Sequence, residues 1–186
     1  MAWIILAVLA ISIVLLIGMY NSLVRLTVQT ENAWADIDVQ LKRRHDLIPN
    51  LVETVKGYAG HEKQTLEAVI AARNCAMSAT TPSTKADAEG ILAQSLKSLF
   101  ALAEAYPQLR AVESFTQLQG SLNQIEGAAQ NARRYYNAVV RDLNTRIQEF
   151  PSNMVAHFFN FKTREFFEIA DVAERAVPKV SFEQTR

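Results

Sequence analysis

Residues 1–20 read MAWIILAVLAISIVLLIGMY, an apolar run without a charged side chain. From Asn21 onward the pattern changes. Apolar residues recur at Leu23, Leu26, Trp34, Ile37 and Leu41, with Thr30 on the same stripe, and neither Gly nor Pro separates them from the first segment. That spacing predicts one helix running on out of the apolar start. The stripe continues through Ile48, Leu51 or Val52, Val55, and Tyr58 or Ala59, but Pro49 falls inside it. Two structures fit. In one, Pro49 kinks a single helix by removing a donor and crowding the carbonyl at His45. In the other, the helix ends near His45, Asp46 caps a new helix, and Pro49 sits in its first turn. The second arrangement also places Lys42, Arg43, Arg44 and His45 in a last turn, where cations suit the helix dipole. Asp46 as cap and Pro49 as helix break are therefore the expectation.

The next helix is predicted to reach Ser78, with Gly57 and Gly60 weakening its middle and Gly60 marking a possible bend. Residues 78–90, SATTPSTKADAEG, form a loop in which Pro82 breaks the helix and Ser83 or Thr84 caps the next. A third helix spans about Lys85 to Ala105, with Ile91, Leu92, Leu96, Leu99, Leu102 and Ala103 facing inward. The strongest pattern is Leu118, Leu122, Ile125, Ala129, Ala132, Tyr136, Val139, Leu143, Ile147 and Phe150, nearly a heptad repeat. Asp142 and Arg146 are spaced to pair along it. Phe150 and Pro151 end it, and Ser152 can cap a short helix. From Phe150 to Arg186 the chain carries seven of its nine phenylalanines, which must be buried against the bundle, another subunit or a membrane surface.

Ala2 to Tyr20 as helix spans roughly 28 Å, close to the thickness of a bilayer core. Trp3 and Tyr20 stand near its two ends, where aromatic belts lie. A cleaved signal peptide needs a basic start and a shorter apolar core, whereas no Lys or Arg precedes Arg25. An uncleaved, single-pass anchor through residues 2–20 is expected. Arg25, Lys42, Arg43 and Arg44 all follow it, which favours a cytoplasmic C-terminal body.

Composition narrows the chemistry. The 186 residues hold 19 Lys plus Arg and 19 Asp plus Glu, so no global basic field recruits nucleic acid. A single cysteine, Cys75, rules out an internal disulfide framework and a Cys-rich zinc site, and its alanine-rich surroundings read as a small buried filler. His61-Glu62 starts like a helical zinc motif, but Thr65 stands where a second His is required, so His61 is expected to face solvent and no metal is expected. Three cations at 42–44 fall short of the cluster typical of lipid recognition. Asp36 and Asp38 point to different sides of a helix, so they form no catalytic pair by themselves. In ARRYYNAVVRD, residues 132–142, Tyr136 belongs to the core stripe, while Arg133, Arg134 and Tyr135 fall off it and read as an interface. No phosphate-cradling loop or nucleophile elbow appears.

Several segments resemble the LemA family: YNSLVRL at 20–26, AWADIDVQLKRRHDLIPNLVETVKGYAGHE at 33–62, AYPQLRA at 105–111, ARRYYNAVVRDLN at 132–144 and FPSNMVAHFFNFKTREFFE at 150–168. They cover most of the chain in order. The resemblance implies a bacterial membrane protein with one N-terminal anchor and an all-α fold. The anchor, residues 1–21, would lead into an antiparallel bundle of four long helices over 22–150, followed by an aromatic-rich tail with a short helix over 151–186. It brings no established activity or cofactor, and relatives among magnetosome proteins suggest membrane organisation. The expectation is a scaffold of the bacterial inner membrane that associates with copies of itself. Arg133, Arg134, Tyr135, Phe158, Phe159, Phe161, Phe166 and Phe167 are its candidate contacts. An adaptor for a membrane protease or transport complex is the alternative, and a hydrolase using Asp36, Asp38, His45 or His61 the third.

Overall fold

The computed structural model describes residues 1–168, which form six helices and no strand. Phe182 and the rest of the 151–186 tail beyond Glu168 lie outside the described residues. Helix α1 is one uninterrupted element, Ala2–Lys56, about 83 Å long at 1.5 Å per residue. Its first part is solvent-bare, and the helix is long and apolar enough there to cross a membrane. Its second part buries Leu23, Ala33, Ile37, Leu41, Ile48, Leu51, Val52 and Val55. With buried Thr30 included, Leu23, Thr30, Ala33, Ile37, Leu41, Ile48, Leu51 and Val55 advance by threes, fours and sevens and share one face of the helix, with Val52 beside it.

The expected break at Asp46 is not there. Pro49 lies inside α1, and exposed Asp46 accepts a hydrogen bond from Lys42 one turn earlier (3.0 Å) instead of capping a helix. Pro49 has no N–H to give the carbonyl four residues back. That carbonyl, on His45, instead accepts a hydrogen bond from Arg73 Nε of the next helix at 2.7 Å. A contact distant in sequence therefore fills the gap that the proline opens. The chain turns later, over residues 57–62, where Ala59 N–H still bonds Val55 O (2.8 Å). At Gly60 a Cβ would stand 3.0 Å from the backbone oxygen of Lys56, so the turn is tightest at a residue without one.

Helix α2, Lys63–Ser78, returns along α1. Helix α3, Pro82–Glu104, starts at a cap two or three residues earlier than the sequence suggests. Thr81 is the N-cap, Thr84 reciprocates it, and Pro82 takes the first helical position. The short α4, Pro107–Arg110, leads into α5, Glu113–Gln148. On α5, Leu122, Ala129, Tyr136 and Leu143 are all buried at intervals of seven, as the repeat predicts, and buried Phe115 extends the series one heptad earlier. Phe150 is an exception, being 80% exposed beyond the end of α5. Ile91 and Cys75 are exposed too, contrary to expectation, because each lies off its helix's inward stripe. Arg146 is paired with Glu149 (3.6 Å) and not with Asp142.

The long partners are α1 and α5. Residues 22–56 and all of α5 each span about 53 Å, whereas α2 and α3 reach only about 24 and 35 Å. The four-helix section therefore covers the far end of the body. There a large core joins Ile48, Leu51 and Val55 of α1 to Val69, Leu92, Leu99, Leu109 and Phe115. A middle cluster joins Ala33, Ile37 and Leu41 to Ala129, Tyr136, Val140 and Phe167. Toward the apolar end, Leu23 packs against Val155 and Ala156 of α6, Ser152–Phe158.

Residues 161–168 then run back along α5. Asn137 receives the N–H of Phe167 at 2.8 Å and donates to its carbonyl at 3.0 Å. Asn144 does the same for Arg164, at 2.8 and 2.9 Å. Seven helical residues rise about 10.5 Å and three extended residues cover about 10 Å, so two asparagines one heptad apart match a strap that advances by three.

Candidate functional site

Two constellations stand out from this frame. The first is a buried charge cluster at mid-body. Arg44 and His45 come from α1, Glu89 from α3, and Glu126 and Arg133 from α5. The Glu89 side chain is fully buried and accepts from Arg44 Nη1 at 3.1 Å, while its other oxygen lies 2.6 Å from His45 Nε2. Arg44 Nη1 also lies 2.9 Å from Glu126 Oε2, a charge contact without hydrogen-bond alignment. Arg133 reaches Glu126 at 3.8 Å and lies over the Phe167 ring at 5.2 Å. Burial pulls the Arg133 guanidinium below its ordinary value, the Glu126 carboxylate pulls it back up, and Arg44 lowers it again. Two guanidinium groups thus face two carboxylates, which is how a core tolerates charge.

His45 against Glu89 has the spacing of an acid–base pair. Both groups are buried, and the carboxylate is already held by Arg44. Among the described residues no three His, Cys, Asp or Glu side chains gather to hold a metal ion. Asp36 is exposed, Asp38 accepts from Lys85, and His61 faces solvent as expected. Lys85 also lies 5.2 Å over the Trp34 ring, which packs against Tyr136 and Phe167 at 5.4 and 6.1 Å.

The second constellation lies where α6 meets the apolar part of α1. Tyr20 packs on Phe159 at 4.7 Å and on Phe161 at 5.8 Å, and Phe158 meets Phe159 at 5.0 Å. Phe158 and Phe159 are largely exposed, as are Phe150 and Met154. A groove of about 520 Å³ opens there between Leu16, Ile17 and Tyr20 of α1 and Met154, Phe158 and Phe159.

The eight predicted contact residues therefore separate. Arg133 and Phe167 are internal, at 7% and 3% exposure: Arg133 lies in the core phase of α5, and Asn137 pins Phe167 against it. Arg134 and Tyr135 are exposed on α5, with Arg134 bonded to Asn131. Phe158 and Phe159 gather at the apolar end with partly covered Phe161, and Phe166 is exposed on the strap. Sequence reasoning passed over Glu89, Glu126 and the buried role of Arg44. The signal was present. Arg44, Glu89 and Arg133 each occupy a core phase, in the runs Leu41–Arg44–Ile48, Ala86–Glu89–Leu92 and Ala129–Arg133–Tyr136. A charge in phase with an apolar stripe announces a buried partner.

The sequence profile of the LemA family matches residues 33–182. The chain belongs to the LemA family. It is 24% identical over 176 residues to magnetosome protein MamQ 2 of Paramagnetospirillum magneticum, a match covering 80% of this chain and 64% of that protein. MamQ 1 of the same organism aligns with the same figures. Protein LemA of Metamycoplasma hominis is 24% identical over 160 residues, covering 84% of this chain and 72% of that protein. The chain spans less than two thirds of the length of the magnetosome relatives. In this LemA-family member, Arg44, His45 and Arg133 of the charge cluster, and Tyr20 with Phe158, Phe159 and Phe161 of the aromatic end, fall within segments that carried the resemblance, whereas Glu89 and Glu126 lie between them.

Proposed function

We propose that this protein is a membrane-anchored helical scaffold that associates with copies of itself and carries no catalytic centre. The observation that carries the reading is α1. One helix is bare and apolar over residues 2–18 and then forms the core of the body from Leu23 to Val55 without a flexible joint. A bilayer holding the first part would hold the body upright and at fixed height. The naming of two relatives as magnetosome proteins agrees with a role in organising membrane. The bacterial inner membrane, with the body cytoplasmic, fits the cations that follow the span.

The contact between copies is assigned to the exposed edge of α5 at Arg134 and Tyr135. Confinement to a membrane plane raises the effective concentration of the bodies, so a small polar interface suffices. Arg134→Glu with Tyr135→Ser should reduce the mass of the assembly in a membrane mimic and leave helix content unchanged. An unchanged mass would sink this assignment. The alternative, an adaptor subunit of a membrane protease or transport complex, predicts co-purification in fixed ratio with a different protein.

A further inference from the structure

The groove between α6 and α1 is lined by the same helix that the reading above places in the bilayer, and its depth can be counted. Tyr20 lies at the level of Phe159. Leu16 lies four residues before it, about 6 Å further toward the apolar end. Helices that lie in a membrane interface bury their apolar side about 5–10 Å. The groove therefore opens at the depth where acyl chains begin.

Charge marks the same level from both sides. On α1 the first charged side chain is Arg25, and from Phe150 to Phe161 there is no Asp, Glu, Lys or Arg. The structure brings these two uncharged segments together, with Glu149 and Lys162 bounding the second. Helix α6 also has three faces. Ser152, Val155 and Ala156 are buried against the body, Asn153 and His157 form an exposed polar edge, and Met154 and Phe158 form an exposed apolar edge. At 100° per residue these lie about a third of a turn apart. A helix packed on a body on one side, wet on the second and apolar on the third suits a membrane surface. In water alone the third face has no counterpart.

We infer that α6 is an interfacial foot, and that the groove lined by Leu16, Ile17, Tyr20, Met154 and Phe158 takes the acyl chain of a bilayer phospholipid. The inference rests on the reading of residues 2–20 as a span. The foot gives the body a second membrane contact beside α1 and so restrains its rotation and tilt. Phe159 and Phe161, packed at steep angles on the Tyr20 ring, join the foot to the span. Phe150, also largely exposed, lies just before α6 on the same uncharged segment.

Spin-label accessibility in vesicles of phosphatidylcholine and phosphatidylglycerol tests this with the full chain. Cys75 is the chain's one cysteine and is exposed, so the labelled wild type reports on the body. In a Cys75→Ala background, Leu9→Cys reports on the span, and Met154→Cys and Phe158→Cys report on the foot. All three positions are exposed, so a label fits without disturbing the core. The expected result is high accessibility to oxygen and low accessibility to a water-soluble nickel chelate at 154 and 158, shifted from the Cys75 ratio toward that of residue 9. Three results would overturn it. Nickel accessibility at 154 and 158 with a lipid-exposed residue 9 leaves the anchor standing and removes the foot. Shielding of 154 and 158 from both reagents assigns the groove to a second copy of the chain. Nickel accessibility at residue 9 removes the anchor reading and the foot with it.

Discussion

Pro49 and Arg73 form a pair whose coupling can be worked out from the structure. Proline in a helix interior costs about 3 kcal/mol relative to alanine, partly through the lost backbone bond. Here the acceptor left behind, His45 O, takes a 2.7 Å bond from Arg73. A hydrogen bond to a charged group contributes about 1.5–3 kcal/mol. Arg73→Ala alone should therefore destabilise by about that amount, since the carbonyl loses its donor. Pro49→Ala alone should stabilise, by less than the full ~3 kcal/mol because Arg73 already offsets part of the loss. In the double variant the N–H of residue 49 supplies the bond, and the Arg73→Ala cost should fall below about 1 kcal/mol. The predicted coupling is about 1–2 kcal/mol, well above the ~0.5 kcal/mol within which independent sites add. Thermal unfolding of the detergent-solubilised full chain, followed by circular dichroism, reads this as a difference of a few degrees, at about 2–4 °C per kcal/mol. Equal Arg73→Ala costs in both backgrounds would refute the reasoning and leave Arg73 as an ordinary surface contact.

Other perturbations address separate parts of the account. Glu89→Ala leaves Arg44 in the core with only its unaligned contact to Glu126 and should cost about 3–5 kcal/mol, whereas the double change Arg44→Met, Glu89→Leu should cost far less; denaturant midpoints of the two variants compare them. Asn137→Ala with Asn144→Ala removes four hydrogen bonds to the strap and should open cleavage after Lys162 and Arg164 to trypsin at native pH, with helix content unchanged. Tyr136 donates to Glu165 O at 2.9 Å, and burial raises its hydroxyl above its ordinary value. Above pH ~10 the unfolded chain loses that proton first, so its bound-proton count falls below that of the folded chain and stability declines with rising pH. Tyr136→Phe should flatten that alkaline decline; an unaltered slope would remove the residue from the account.

The local patterns were legible wherever burial repeats along one helix. The heptad of α5 and the stripe of α1 could be read directly, because the same face stays in contact with a long partner. What misled at Pro49 was the assumption that a missing donor must be answered within the helix. Arg73 answers it from 28 residues away, and only tertiary structure brings it there. The turn instead falls at Gly57 and Gly60, which the sequence offered as weak points. Arg133 reads as off the core stripe when the stripe is drawn through Ala132 and Tyr136, yet it keeps the phase between Ala129 and Tyr136 and is buried. The strap could not be foreseen, since Asn137 and Asn144 are ordinary helical residues until an extended segment arrives beside them. The foot was half legible: the phenylalanines announced burial somewhere, and the packing on Tyr20 supplied the level.

The mass of the full-length protein in a lipid nanodisc or mild detergent tests the central claim most directly. Self-association of an anchored scaffold predicts a discrete multiple of 20.8 kDa, reduced by Arg134→Glu with Tyr135→Ser. A monomer, or a fixed-ratio complex with a different protein, would contradict it and make this chain an adaptor.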